Sequence, residues 1–298
     1  MAKPLRDIVE RAKARGAKTC AVVAPEDPEV LVAVDQGVSS GITKSILIGD
    51  LSRIEEAASR GGIDLSNHEL IEEKDPSAAA RKGVRLVSQG EADLVMKGQA
   101  STQDVLRAVL SKDGGLRTGR LLSHLSVFEM PGSDRLMIFS DAAMNIAPSL
   151  EDKVEIVENA IGVAHLLGIS NPRVAIIGAI EYVNLDMQAT VDAACISKMA
   201  ERGQIKGAVI DGPLALDNAI SPESAKIKGI RSPVAGCADI LIMPDIEAGN
   251  VFYKTLIYMA GICLASVVVG ASAPVVLTSR ADSHASKFYS LALGIAVS

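Results

Sequence analysis

"CAVVAPEDPEVLVAVDQGVSSGITKSILIGD", Cys20 to Asp50, is the stretch whose reading decides the fold class. It opens on a short run, "CAVVAP", continues into a helical pattern, "PEVLVAVDQGVSSG", and closes on a second apolar run, "SILIGD". Strands that are apolar on both faces, joined through helices, make a parallel sheet covered on both sides. The same rhythm recurs. "HELIEE" precedes "PSAAARKGVRLVSQG", "DLVMKG" precedes "STQDVLRAVLSK", and "RVAIIGA", "AVIDGP", "DILIMPD" and "APVVLTS" follow later, most of them leading into a helix. The fold class is α/β.

The rhythm changes between Arg117 and Asp141. "LLSHLSVFEMPGSDRLMIFSD" holds two strand-like runs separated only by "MPGSD", a turn sequence that predicts an antiparallel hairpin or a sheet-to-sheet crossing, and a domain switch belongs here. "SLEDKVEIVENAIGVAHLLGI" then predicts a long helix capped by Ser149, with Asp152 completing a capping box and Val154, Val157, Ile161 and Ala164 or Gly168 on its buried face.

Composition narrows the classes. With 48% hydrophobic residues but 3% aromatics and no Trp, the core must be Ala, Val, Leu and Ile. The most apolar stretch, "LIYMAGICLASVVVGASAPVVL", is interrupted by Gly261, Gly270 and Pro274 and reads as helix, strand, strand rather than a membrane span. The start, "MAKPLRDIVERAKARG", lacks the apolar centre of a signal peptide, so a cytoplasmic location is expected. A net charge of -6 argues against nucleic acid as a partner, and an anionic substrate would have to be met by locally placed cations and amides. Cys20, Cys195, Cys237 and Cys263 share no CxxC spacing and are expected to be small buried thiols.

In open parallel sheets ligands sit beyond the carboxyl ends of the strands, and five such junctions here are rich in polar groups. After "DLVM" come Lys97 and Gly98, then Ser101 and Thr102 opening a helix, with Arg107 a turn inside. This is an anion site or simply a capped helix beside an exposed lysine, and GxxxxGK[ST] is missing. "MIFSDAAMNIAPS" offers Asp141 and Asn145, for ligand contact or for turns. "VIDGPLALDNAIS" places Asp211 and the Asp217-Asn218 pair at turns, without a third ligand that would make a metal site. In "DILIMPDIEAGNVFYKTLIYMAG", Gly249 and Asn250 are expected to open a helix, as an oxygen-binding backbone or a plain N-cap. Finally, after "PVVL" come Thr278, Ser279 and Arg280, and Ser283 caps the helix "HASKFYSLALGIAVS". Arg280 brings a planar fork suited to phosphate oxygens. The plainer reading pairs Arg280 with Asp282 and uses the hydroxyls as caps, although a cap needs one hydroxyl and three are supplied.

"DLVMKG", "SDAAMNIAPS", "DGPLALDNAIS", "PDIEAGNVFYKTLIYMAG" and "PVVLTSRADS" occur in the order found in phosphate acetyl/butyryltransferases, which the chain resembles from about residue 5 to 298. "TSRADS", in place of the "SRGCS" typical of the acetyl branch, is most similar to the butyryl branch. The resemblance implies the reaction acyl-CoA + phosphate ⇌ acyl phosphate + CoA, with no metal or redox cofactor. It also implies two α/β/α domains with a cleft between them, similar to isocitrate/isopropylmalate dehydrogenases, and a homodimer. The expected domains are residues 1–122 plus 272–298 and residues 123–271.

Carried over residue by residue, Ser279 and Arg280 match the family's phosphate-contacting, transition-state-stabilising Ser-Arg pair. Where the acetyl branch has an aspartate proposed as the base for the CoA thiol, this chain has Ser286, which leaves Asp282 and His284 as candidate bases. Ala142 stands where some acetyl enzymes carry cysteine. Acyl transfer also needs the substrates held together and the oxyanion met by donors. Lys97, Ser101, Thr102, Arg107, Asp141, Asn145, Asn250, Thr278 and Ser283 are the candidate binding residues, and no metal site is expected. Other readings are a phosphate acetyltransferase and a catalytically weak CoA- or acyl-phosphate-binding protein. A decarboxylating dehydrogenase would need clustered acidic ligands, and an acyl-carrier-dependent transferase a basic docking patch.

Overall fold

The computed structural model describes residues 4–298, and the first three residues of the opening helical pattern lie outside them. After helix α1 (Pro4–Ala14), the "CAVV" run forms β1 (Lys18–Val23). Asp27 then caps α2 (Pro28–Ser39) with its carboxylate, and Pro28 fills the first turn, where its missing N–H is harmless. β2 (Thr43–Gly49), α3 (Leu51–Gly61), β3 (Glu69–Glu72), α4 (Pro76–Ser88), β4 (Leu94–Lys97) and α5 (Thr102–Val109) repeat the alternation. The rhythm breaks where the turn sequence predicts: β5 (Ser123–Glu129) pairs antiparallel with β6 (Leu136–Ser140).

Helix α6 (Leu150–Leu166) begins at Ser149 with the expected capping box. Its buried side includes Val157, Ile161 and Ala164, while Val154 is half-buried and Gly168 is exposed. β7 (Arg173–Ile177), α7 (Gln188–Glu201), β8 (Val209–Leu214), α8 (Leu216–Ile220), α9 (Pro222–Ile227), β9 (Ile240–Ile242) and α10 (Ile246–Lys254) follow. The long apolar stretch resolves into a π-helical turn, Thr255–Met259, then β10 (Ala265–Val269) and β11 (Val275–Val276), before α11 (His284–Ala296). Among the described residues no helix is long and apolar enough to cross a membrane.

The chain divides into two compact units: one runs to Arg120 and resumes over Cys263–Ser298, and the other is Leu121–Ile262. In the first unit the strand order is β3-β2-β1-β4-β11-β10, parallel except for the β10–β11 pair. α1, α2 and α11 pack together, while α4 and α5 form a separate layer. In the second unit the order is β5-β6-β9-β7-β8, parallel beyond the opening hairpin. Burial explains the run composition: Cys20, Ala21, Val22 and Val23 of β1 and Leu94, Val95 and Met96 of β4 are fully covered.

Two sequence expectations change. Cys195 is exposed, because α7 packs through Thr190, Asp192, Ala193 and Ile196 and Cys195 lies off that stripe. Cys20 is buried, and burial pushes its thiol pKa up, while Cys237 and Cys263 are half-buried. Second, α10 begins at Ile246 under an Asp245 cap, so Gly249 and Asn250 lie inside the helix rather than opening it.

Candidate active site

β1, β4 and β11 are neighbours running the same way, so the segments leaving their carboxyl ends meet at one corner of the first unit. The β1 segment brings Asp27 and Glu29, the β4 segment Lys97 to Ala100, and the β11 segment Thr278 to Asp282 with the start of α11. The corner is stitched by backbone. Gly98 N–H donates to Val23 O at 2.8 Å and Gln99 N–H to Ala24 O at 2.6 Å. A Cβ on Gly98 would fall 2.1 Å from Ala24 O, so the close approach that glycine permits is to the neighbouring strand end and not to an open backbone face. Ala24 itself takes a left-handed φ of 49°, which aims its carbonyl at the β4 loop.

Cations gather here. Lys97 is 4% exposed, and its Nζ donates to Gly98 O at 3.0 Å and Ala100 O at 3.4 Å. Its pKa is pulled down to about 8, first by loss of water and then by the Arg280 and Lys287 charges. Arg280 stays exposed and donates from Nη2 to Gln99 O at 3.2 Å, while Gln99 Nε2 donates to Asp27 Oδ2 at 2.8 Å. Lys287, 1% exposed, donates to the Asp282 carbonyl. The Asp282 carboxylate is turned inward to accept the Ser279 N–H at 2.8 Å, and the Asp282 N–H donates back to Ser279 O at 3.1 Å. That closed turn presents the Ser279 hydroxyl, whose oxygen accepts the Ala281 N–H at 3.4 Å, so that its own proton can be donated outward.

The other candidates of this unit have definite positions. Thr278 is buried, and Ser283 is the N-cap of α11, accepting the Ser286 N–H at 3.3 Å. Ser286 is buried, with Cys263 Sγ 3.4 Å from its hydroxyl. His284, exposed at the first turn of α11, meets Glu29 of α2. Ser101 caps α5 by accepting the Asp104 N–H at 3.0 Å, and Thr102 is the exposed first residue of that helix. Arg107 pairs with Asp104 at 3.6 Å and lines a cavity of about 260 Å³ with Ser77, Arg81, Arg85 and Ser111, whose walls include none of the Ser279 loop.

Asp141, Asn145 and Asn250 belong to the second unit, where they surround the turn after β6. The buried Asp141 carboxylate accepts N–H groups from His124 (3.2 Å), Ala143 (2.8 Å) and Met144 (3.0 Å) and from Asn145 Nδ2 (2.6 Å). Asn145 Nδ2 also donates to Leu122 O, and Asn250 Nδ2 to Ala142 O at 3.2 Å. Gly249 lies so close that a Cβ would be 2.1 Å from Asp141 O. The Asp217-Asn218 pair is likewise held locally: Asp217 accepts from Ser224 at 2.6 Å and pairs with Lys228 at 3.1 Å, which also reaches Glu181.

Sequence reasoning did not single out Asp27, Glu29 or Gln99. "PEDPE" is a strand-end junction as polar as the others, and that was the available signal for Asp27 and Glu29. Lys287 closes the polar run that begins at Thr278, but nothing local marks it as buried.

The polar corner can hold a multiply charged oxyanion, and relatives of known activity share the chain's full length. It is 50% identical over 297 residues to the phosphate butyryltransferase of Clostridium beijerinckii, covering 100% of this chain and 98% of that protein. It is 46% identical to the phosphate acetyltransferase of Thermotoga maritima, over 97% and 98% of the two chains. The crystal structure of a branched-chain phosphotransacylase from Enterococcus faecalis superposes with a TM-score of 0.83 at 32% identity, covering 94% of this chain and 98% of that one. The family model for phosphate acetyl/butaryl transferase matches residues 74–295, and the chain belongs to that family.

Proposed function

We propose that this chain moves a short-chain acyl group, butyryl or similar, between CoA and inorganic phosphate: acyl-CoA + phosphate ⇌ acyl phosphate + CoA. The observation that carries the reading is the convergence of Arg280, Lys97 and the Ser279 hydroxyl at the ends of β4 and β11. In this reading the exposed Arg280 fork grips two phosphate oxygens, and the Ser279 hydroxyl donates to the oxyanion of the tetrahedral intermediate. Lys97 offsets phosphate charge from below. Its lowered pKa makes the ammonium hungry for an anion, since a bound dianion restores the stabilisation that burial removed. The chemistry needs no metal or redox cofactor, because the thioester and the acyl phosphate are themselves the activated groups. The same reading takes the chain as a cytoplasmic homodimer. Support for a second copy comes from apolar side chains left in water in the second unit, with Leu185 84% and Met259 82% exposed.

A second reading, acetyl-CoA as the main substrate, is favoured by the 46% identity to the Thermotoga maritima acetyltransferase. One assay addresses both. Phosphate-dependent thiol release is measured over a donor series from acetyl- to hexanoyl-CoA with branched chains included. The expected optimum is at butyryl or a neighbouring length, and an optimum at acetyl selects the second reading. Arg280→Ala should lower kcat/KM by at least about 100-fold, on the order of 3 kcal/mol. Wild-type kcat/KM in that variant would overturn the assignment of the phosphate site.

A further inference from the structure

We infer that Glu29 and His284 form a carboxylate–imidazole dyad whose outward ring nitrogen is the general base for the CoA thiol, an inference that rests on the acyl-transfer reading above. The two residues are 255 positions apart, and the fold brings them together because α2 and α11 pack side by side. Glu29 Oε2 accepts the His284 backbone N–H at 2.7 Å and lies 3.1 Å from Nδ1 of the ring. An ionised carboxylate only accepts hydrogen bonds, so Nδ1 carries a proton and, in the neutral ring, Nε2 carries the lone pair. Glu29 is thus a positioning residue that fixes the tautomer, and the backbone contact fixes the ring's place on the helix.

The chemistry at the corner leaves the role of base to this pair. Asp282 is buried and its carboxylate closes the Ser279 turn, so protonating it would loosen the loop that presents the phosphate-site hydroxyl. Ser286 faces inward to Cys263 and has no base at neutral pH. His284, by contrast, stands half in water with 51% of its side chain exposed, at the start of the helix that follows the Ser-Arg pair. The charged group that faces its ring is Glu29, on which Lys287, one turn along α11, also acts; Lys287 in turn belongs with Arg280, Asp282 and Asp27 to the charges felt by Lys97. The Glu29 carboxyl is held below its ordinary value, most by the His284 backbone N–H and then by the ring and the Lys287 charge, so it remains an anion through the working range.

In the direction that forms the thioester, Nε2 takes the S–H proton and the sulfur electron pair attacks the acyl carbon. The carbonyl electrons move to oxygen and return as the C–O bond to phosphate breaks, leaving its electron pair on the phosphate oxygen. The imidazolium gives its proton to that oxygen, so acyl phosphate and thiol become thioester and hydrogen phosphate with nothing left over.

The test uses the full chain in acyl-CoA formation from butyryl phosphate and CoA, with kcat followed against pH. His284→Gln should lower kcat by roughly 100-fold or more and remove the acid-side limb, and added imidazole should partly restore rate to His284→Gly. Glu29→Gln keeps an acceptor but loses the charge that steadies the imidazolium. It should lower kcat about tenfold and move the limb to lower pH, whereas Glu29→Asp should retain more rate. A purely structural Glu29 would leave the limb in place, so an unmoved limb overturns its role. Wild-type kcat in His284→Gln overturns the base assignment itself. Arg280→Ala, run alongside, separates the failures: if it too is fully active, the acyl-transfer site is misplaced, and if it alone is dead, only the dyad is wrong.

Discussion

Beyond β4 and β11 in the first unit, Lys97, Arg280 and Lys287 lie close enough to lower the basicity of one of their number, and the Arg280 fork is left facing solvent. Beyond β6 in the second unit, one carboxylate, Asp141, collects four donors and is sealed from water. Both corners follow the same kind of sequence, an apolar strand running into a cluster of short polar residues. The difference lies in the balance of donors and acceptors. The second corner neutralises itself, so folding satisfies its polar groups without a ligand. In the first, Asp27 and Asp282 offset part of the cation repulsion, but their carboxylates are engaged by Gln99 and the Ser279 N–H while Arg280 stays exposed, an arrangement that can still take up an anion. A strand-end cluster is a candidate for chemistry when folding leaves a charged donor such as Arg280 open to solvent.

That comparison breaks if the second corner behaves like the first. Asp141→Ala removes the acceptor from four donors at once, and the structure predicts a loss of folding stability of roughly 3–5 kcal/mol, read as a lower urea midpoint at unchanged m. Arg280→Ala, at an exposed position, should shift stability by no more than about 0.5 kcal/mol. If Asp141→Ala folds as stably as wild type, the carboxylate is not the keystone of its turn and the contrast collapses.

A second effect sharpens the first corner. The Lys97 amine loses its proton near pH 8 in the folded chain, against 10.5 for the ordinary side chain. Between those values the unfolded state binds more protons than the folded one, so stability climbs as pH rises, and below the folded value the full penalty is present. The climb attributable to Lys97 is on the order of 3 kcal/mol. Lys97→Met should abolish it in urea titrations taken from about pH 7 to about pH 10, and saturating phosphate should flatten it in the wild type by holding the amine charged. Equal slopes with and without Lys97 would mean that the amine is not strained.

Local sequence carried the layers and the Ser101, Ser149 and Ser283 caps, because strand length, Gly and Pro punctuation and the Ser149–Asp152 box are short-range features. It failed where the deciding contact is distant. Gly249 resembles part of a helix start until Asp141 O is seen where its Cβ would be, and Gly98 resembles a ligand-facing glycine until Ala24 occupies that side. Cys195 was expected to be buried because its neighbours are apolar, yet the stripe that packs α7 runs past it. The polar corner itself could be read as a cluster, but not its membership. Glu29 joins His284 only once α2 and α11 are packed, and Lys287 is buried only because its ammonium finds the Asp282 carbonyl.

The smallest expected effect tests whether a hydroxyl near the charged corner belongs to it. Ser101 follows Lys97 by four residues, but its oxygen accepts the Asp104 N–H and its proton goes to Asp104 Oδ2 at 2.6 Å. Both hydrogen-bonding capacities that matter are used by the start of α5, as Asp141 is used by its turn. Ser101→Ala should therefore cost about 1 kcal/mol of stability, the usual loss of an N-cap, and leave the KM for phosphate within about twofold. Ser101→Thr, which keeps both the cap acceptor and the hydroxyl that donates to Asp104, should recover the stability and leave the KM for phosphate unchanged as well. A large KM effect from the alanine variant would instead put the hydroxyl among the groups that hold the anion, and the boundary of the charged corner would have to be drawn to include the first turn of α5.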